Sequence, residues 1–131
     1  MSDAPGLDLH EVPGRYAVIR LAAEAPVPGW ATTGPFTSIT RTHDELSIVC
    51  LAGQVPLDAR AERGWRMLRV SGPLDFALTG VMASLAGPLA AAGVSLFAIA
   101  TFDTDYLLVR ATQWDVALTA LGAAGHRVAA S

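Results

Sequence analysis

The stretch from Gly93 to Val109 constrains this chain more than any other, because it holds two apolar runs with only a short polar connection between them. Val94 to Thr101 is almost wholly apolar, Tyr106 to Val109 is apolar again, and Phe102, Asp103, Thr104 and Asp105 stand between. Runs this short, bounded by turn chemistry, read as strands, and their lack of alternation predicts a hairpin covered on both faces. The rest of the chain, or a second copy of it, must supply that cover.

Helices are available to do so. Leu74, Leu78, Met82, Leu85 and Leu89 recur at helical steps and predict an amphipathic helix ahead of the hairpin. Asp75 falls in its first turn, where the helix dipole favours a negative charge. Pro88 is expected to kink or end this helix, and Gly93 to stop it. After the hairpin, Thr112-Gln-Trp-Asp115 has the spacing of a capping box and predicts a second helix that buries Trp114, Ala117, Leu118 and Leu121. Arg66 to Ser71 and His126 to Ala130 read as the flanking strands. From Arg66 onward the order is therefore βαββαβ. That is an α+β, ferredoxin-like arrangement, an antiparallel sheet with helices on one face.

The first half reads as a reduced version of the same unit. Tyr16 to Leu21, Phe36 to Arg41 and Leu46 to Leu51 are expected strands, and Pro26, Pro28 and Pro35 around Trp30 leave room for only a short helical turn. Ser38 to Val49 lies over Ala98 to Val109 without a gap. Ile39 then falls on Ile99, Val49 on Val109, and Asp44-Glu45 on Thr104-Asp105. This divides the chain into a flexible arm (1–13), a reduced lobe with its helices shrunk to loops (14–64), and a complete lobe (65–131). Gly53 to Gly64 is taken as a connecting segment.

Composition narrows the function. Hydrophobic residues make up 52% of the chain, yet no apolar run reaches the ~18 residues of a membrane span. The N-terminus has no basic and apolar leader pattern, which favours the cytoplasm. A formal net charge of −3 speaks against nucleic acid and anionic membranes as partners. Cys50, the single cysteine, sits in an apolar run and reads as a buried small side chain. His10, His43 and His126 have no metal-ligand spacing, so neither a metal nor a cofactor is expected. Arg60, Arg63, Arg66 and Arg69 read as a solvated face. No nucleophile elbow, phosphate loop, dinucleotide fingerprint or Cys-x-x-Cys occurs, and the chain is read as non-catalytic.

Four separated blocks in one order resemble the ACT domains, small ligand-binding regulatory modules of amino-acid metabolism. They are Gly34-Pro-Phe-Thr-Ser-Ile-Thr-Arg-Thr-His-Asp-Glu-Leu-Ser-Ile-Val49, Glu62-Arg-Gly-Trp65, Gly72-Pro-Leu-Asp-Phe76 and Val94-Ser-Leu-Phe-Ala-Ile-Ala-Thr-Phe-Asp-Thr-Asp-Tyr106. The likeness covers Pro13 to Val128 and is greatest to compact bacterial proteins with a tandem pair of such domains. The pattern also occurs in the arginine sensor of the TOR growth pathway.

The resemblance implies an amino-acid pocket at a lobe or subunit interface. The backbone of Ser95 and Leu96 would form one wall, and Thr101, Phe102 and Asp105 would close around the ligand side chain. Backbone donors after Gly72 would hold a carboxylate. Many members carry Asn or Asp beside Pro-Gly here; this chain reads Gly72-Pro-Leu-Asp75, which leaves Asp75 as a substitute. Asp105 fits a turn residue as well as a ligand contact, and Asp103 reads as a turn residue. Apolar strands that need cover on both faces imply a homodimer. The other reading is a ligand-free interaction or dimerisation module that docks on a partner enzyme.

Overall fold

The structure is a computed structural model and describes residues 6–72 and 80–129. Two compact units make up the chain. The small unit is Gly14–Trp65, and the helical unit combines Met1–Pro13 with Arg66–Ser131. Two strands, β1 (Asp8–Leu21) and β4 (Ala61–Val70), run through the division and contribute to both.

The helical unit adds α1 (Val81–Ala91), β5 (Leu96–Ala100), β6 (Asp105–Arg110), α2 (Trp114–Ala123) and β7 (Arg127–Ala129). Its strand order is β7-β1-β4-β6-β5. Alternate residues of the strands face one way: Leu9, Leu68, Val70, Leu107 and Val109 meet Leu85 and Leu89 of α1 and Trp114, Ala117 and Leu121 of α2. Each large side chain buried there contributes about 1.5–3 kcal/mol. The four strands β4 to β7 and the two helices have the ferredoxin-like element order. The expected positions Leu74, Asp75 and Leu78 lie outside the described residues.

Three sequence expectations are corrected here. Residues 1–13 were expected to be an arm, but the first strand begins at Asp8, not Tyr16. It inserts between β7 and β4: Asp8, Leu9 and His10 pair in parallel with Arg127, Val128 and Ala129, and Ser71 N–H donates to the Asp8 carbonyl at 2.8 Å. Leu7 and Leu9 alternate with Asp8 and His10, a strand signal hidden by the surrounding Pro and Gly. Leu9 is fully buried. The sheet of this unit therefore has a parallel pair at one side.

The end of the connecting segment before Arg66 is also strand, since β4 starts at Ala61 and takes in Glu62 and Arg63. Finally, only half of the hairpin is covered on both faces. Leu107, Leu108 and Val109 of β6 are fully buried, whereas β5 is an edge strand with Ala98 and Ala100 exposed.

Pro88 neither ends nor breaks α1, which continues to Ala91 and stops at Gly93 with φ +76°. A proline at 88 has no N–H to give the carbonyl of Ser84 four residues earlier. That carbonyl is taken instead by His126, whose Nε2–H donates to it at 2.9 Å. The other ring nitrogen, Nδ1, accepts the Leu7 N–H at 3.1 Å. One buried imidazole thus satisfies α1 and the entry to β1 at once, and the two bonds fix its tautomer. The second helix opens on a 3₁₀ turn (Ala111–Gln113) with no side-chain cap on Gln113, so the expected capping box is not used.

Arg66 is not a solvated residue. Its Nε and Nη2 donate to Glu11 Oε2 and Oε1, both at 2.8 Å, and its guanidinium carbon lies 3.9 Å from the centre of the Trp114 ring. This clasp joins β1, β4 and α2.

In the small unit the order is β2-β3-β1-β4, with β2 (Ser38–Arg41) and β3 (Leu46–Leu51). The positions of the two helices are taken by 3₁₀ turns, Gly29–Ala31 and Ala52–Gln54. Gln54 Nε2 ties them together, donating to the carbonyls of Trp30 at 2.7 Å and Thr33 at 3.1 Å. Beneath lies a core of Ala17, Ile19, Ala31, Leu46, Ile48, Cys50 and Val55. Burial pushes the Cys50 thiol up from its ordinary value. The native chain at about pH 8 is therefore expected to leave a thiol reagent such as Ellman's unconsumed, with one equivalent taken up on unfolding. Rapid reaction of the native chain would contradict the buried placement.

Candidate functional site

The far end of the β5–β6 hairpin is built around two threonines. Thr101 N–H and Thr101 Oγ1 both donate to the Thr104 carbonyl at 2.9 Å, closing the turn. Thr104 Oγ1 in turn donates to the carbonyl of Val70 at 2.6 Å, and the residue is only 3% exposed. The buried hydroxyl pins the turn to the end of β4, two residues before Gly72. The sequence reading did not single out Thr104. The signal was its match with the other hairpin, where Thr42 N–H donates to the Glu45 carbonyl at 2.9 Å and Asp44 N–H to Thr42 Oγ1 at 3.1 Å.

That match also corrects the alignment of the two hairpins. Ala100 pairs with Asp105 and Arg41 with Leu46, so Thr42-His-Asp-Glu45 corresponds to Thr101-Phe-Asp-Thr104. The gapless overlay expected from sequence is one residue out of step. Asp44 corresponds to Asp103, a turn position, while Asp105 is already the first residue of β6 and half-buried.

The expected site residues are distributed as follows. Gly72, Thr101, Phe102 and Asp105 belong to one end of the helical unit, with Gly72 and Thr101 exposed and Phe102 79% exposed. Ser95 is exposed and Leu96 half-buried, and both belong to the opposite end of β5. Leu96 and Thr101 are separated by five strand steps, about 17 Å, so one small ligand cannot touch both within a single copy. Asp75 lies outside the described residues. The hairpin end presents an exposed aromatic ring and a carboxylate on a turn held by buried hydrogen bonds, groups suited to a cationic or zwitterionic ligand. Among the described residues no three His, Cys, Asp or Glu side chains gather as a metal would require. No helix among them is long and apolar enough to cross a membrane.

Comparison with known proteins gives consistent matches. A family profile described as the ACT domain matches residues 60–123, and a second, described as an N-terminal domain, matches residues 14–58. A crystal structure of a protein from Agobacterium tumefaciens is 41% identical, with a TM-score of 0.93 over 98% of this chain and 96% of that one. The rat protein named cytosolic arginine sensor for mTORC1 subunit 1 is 37% identical over 87 residues, 60% of this chain and 26% of the sensor. The chain covers only 14% to 26% of the length of the sensors it matches. The regulatory subunit of aspartate kinase from Thermus thermophilus, in its ligand-free form, shares the fold at 14% identity with a TM-score of 0.56, over 93% of this chain and 96% of that one.

Proposed function

The chain belongs to the ACT-domain family, and from that premise we propose that it is a non-catalytic regulatory protein that binds a free amino acid. The ligand sits at the hairpin end of the helical unit, with Thr101, Phe102 and Asp105 around its side chain and Gly72 and Asp75 at its main-chain groups. The observation that carries this reading is the buried Thr104–Val70 bond, which holds the turn in place beside Gly72 before any ligand arrives. Ser95 and Leu96 stand too far along β5 to reach the same molecule, so they would close the pocket from a second copy. The protein is then a homodimer, working in the cytoplasm as a tandem of ACT-like units. The name of the sensor relative makes a guanidinium the first side chain to try, and the Asp105 carboxylate is the group to receive it.

A thermal-shift screen of the twenty amino acids tests the reading. A ligand at a hundredfold excess over its Kd stabilises by about 2.7 kcal/mol, and a cationic amino acid is expected to do this. Asp105→Ala should abolish that shift while leaving the unliganded melting point within about 1 °C. A flat screen at millimolar concentrations would sink the proposal and leave the ligand-free assembly module standing.

A further inference from the structure

Arg63, Arg66, Arg69 and Arg110 are the half-buried arginines among the described residues. Three of them have partners: Arg63 Nη2 donates to the Pro56 carbonyl at 2.8 Å, Arg66 grips Glu11, and Arg110 is engaged as well. The Arg69 guanidinium has no hydrogen bond, ion pair or ring contact among the described residues. Taking a guanidinium partly out of water without a counter-charge costs stability, and nothing in the fold offsets that cost here. Arg69 stands near the end of β4 on the sheet face away from the helices, because its neighbours Leu68 and Val70 pack towards α1 and α2. The bonds from Ser71 N–H to the Asp8 carbonyl and from Arg20 N–H to the Arg60 carbonyl make β1 and β4 antiparallel. His10 therefore lies beside Arg69 on the same face. On the other flank β6 begins next to the end of β4, where Thr104 Oγ1 reaches the Val70 carbonyl. Leu107 and Val109 face the helices, so the first residue of β6 on this face is Tyr106.

Three strands thus bring an imidazole, a guanidinium and a phenol to one patch, and each of these groups can donate a hydrogen bond. The carboxylates nearby are committed elsewhere. Asp8, two residues along β1, is bonded to Arg127, and Asp105 alternates with Tyr106 to the helix side. A carboxylate has two oxygens in one plane, which the fork of a single arginine satisfies. Donors converging from three strands match instead the three outward oxygens of a tetrahedral phosphate. We propose that this patch binds a phosphate group, with Arg69 on two of its oxygens and His10 and Tyr106 completing the shell. A groove of about 320 Å³, lined in part by Asp8, His10 and Ser71, opens beside His10 and has room for the rest of a small phosphorylated compound. Both the ligand class and the place differ from those at the hairpin end, and neither reading needs the other.

Titrating the full chain with inorganic phosphate at constant ionic strength, while the NMR signals of Arg69 Nε and the His10 ring are followed, tests the proposal. Saturable shifts are expected at both. Glycerol 3-phosphate is the second probe: tighter binding than inorganic phosphate assigns the patch to a phosphorylated metabolite, and equal binding assigns it to free phosphate. Arg69→Gln should weaken binding about tenfold or more, whereas Arg60→Gln, at an exposed arginine outside the patch, should leave it unchanged. Arg69→Met gives a readout that a structural role would not. It should raise the melting point in phosphate-free buffer, by removing an unpaired charge, and abolish the further rise that phosphate brings to the parent chain. A lower melting point for Arg69→Met without phosphate would show that the guanidinium serves the fold. The site is equally overturned by the absence of saturable shifts at tens of millimolar, by chloride or acetate binding as well as phosphate, or by full binding to Arg69→Gln. Asp105→Ala should leave phosphate binding intact, so this site and the hairpin site stand or fall separately.

Discussion

Replacing His126 with Ala is expected to lower the stability of this chain by about 2–4 kcal/mol, because it orphans two backbone groups at once. The Ser84 carbonyl has no helical donor, since residue 88 is proline, and the Leu7 N–H loses its acceptor. For a domain of this size the melting point should fall by roughly 8–15 °C. A plain core cavity would give a similar loss, so the magnitude alone does not establish the cause. The discriminating measurement is a double-mutant cycle with Pro88→Ala. Restoring an N–H at position 88 gives the Ser84 carbonyl an intrahelical partner, and His126→Ala should then cost about 1 kcal/mol less. Additive effects in urea unfolding would show that the imidazole and the proline are not partners.

Arg66→Ala should cost about 2–3 kcal/mol, far more than an ordinary surface arginine. Its side chain and that of Glu11 are 22% and 16% exposed, so removing the guanidinium leaves a largely buried carboxylate without a counter-charge and strips the cover from Trp114. Arg66→Lys keeps the charge but not the two-pronged bond or the flat stack, and should recover less than half of the loss. Combining Arg66→Ala with Glu11→Gln should be milder than Arg66→Ala alone, because no unpaired charge remains. If Arg66→Lys matches the parent in urea melts, the clasp acts as simple charge neutralisation and its geometry is irrelevant.

Much of this fold could be read from the residues, and the misreadings have physical causes. The helical stripe through Leu85 and Leu89, the burial of Trp114, Ala117 and Leu121, and the apolar β6 follow from local pattern. Strand edges do not. Leu96 to Ala100 is as apolar as a central strand, and only its place in the sheet leaves one side open. The start of β1 was hidden because its partner β7 is more than a hundred residues away, and no local rule brings Leu9 to Val128. The same holds for Arg66, which looked like one of four similar arginines until Glu11 and Trp114 were placed around it. At the candidate site the turn residues were legible, but the hydroxyl that fixes them was not, since Thr104 acts through a carbonyl on a different strand. A lone histidine near the end of the chain carried no signal until the proline it serves was seen on a neighbouring helix.

The discontinuous make-up of the helical unit bears on how the chain is made. Synthesis runs from the N-terminus, and domains tend to close as units while it proceeds. The small unit is contiguous, so it can close once residue 65 has emerged. The helical unit cannot, because residues 8–10 must wait for residues 127–129 to complete their side of the sheet. Closing so long a span is entropically costly and kinetically late. Meanwhile the opening residues of β1 form a strand with a vacant flank, the kind of edge that recruits other chains. Asp8, His10 and Glu11 place charge and polarity along that flank, which guards it until β7 arrives.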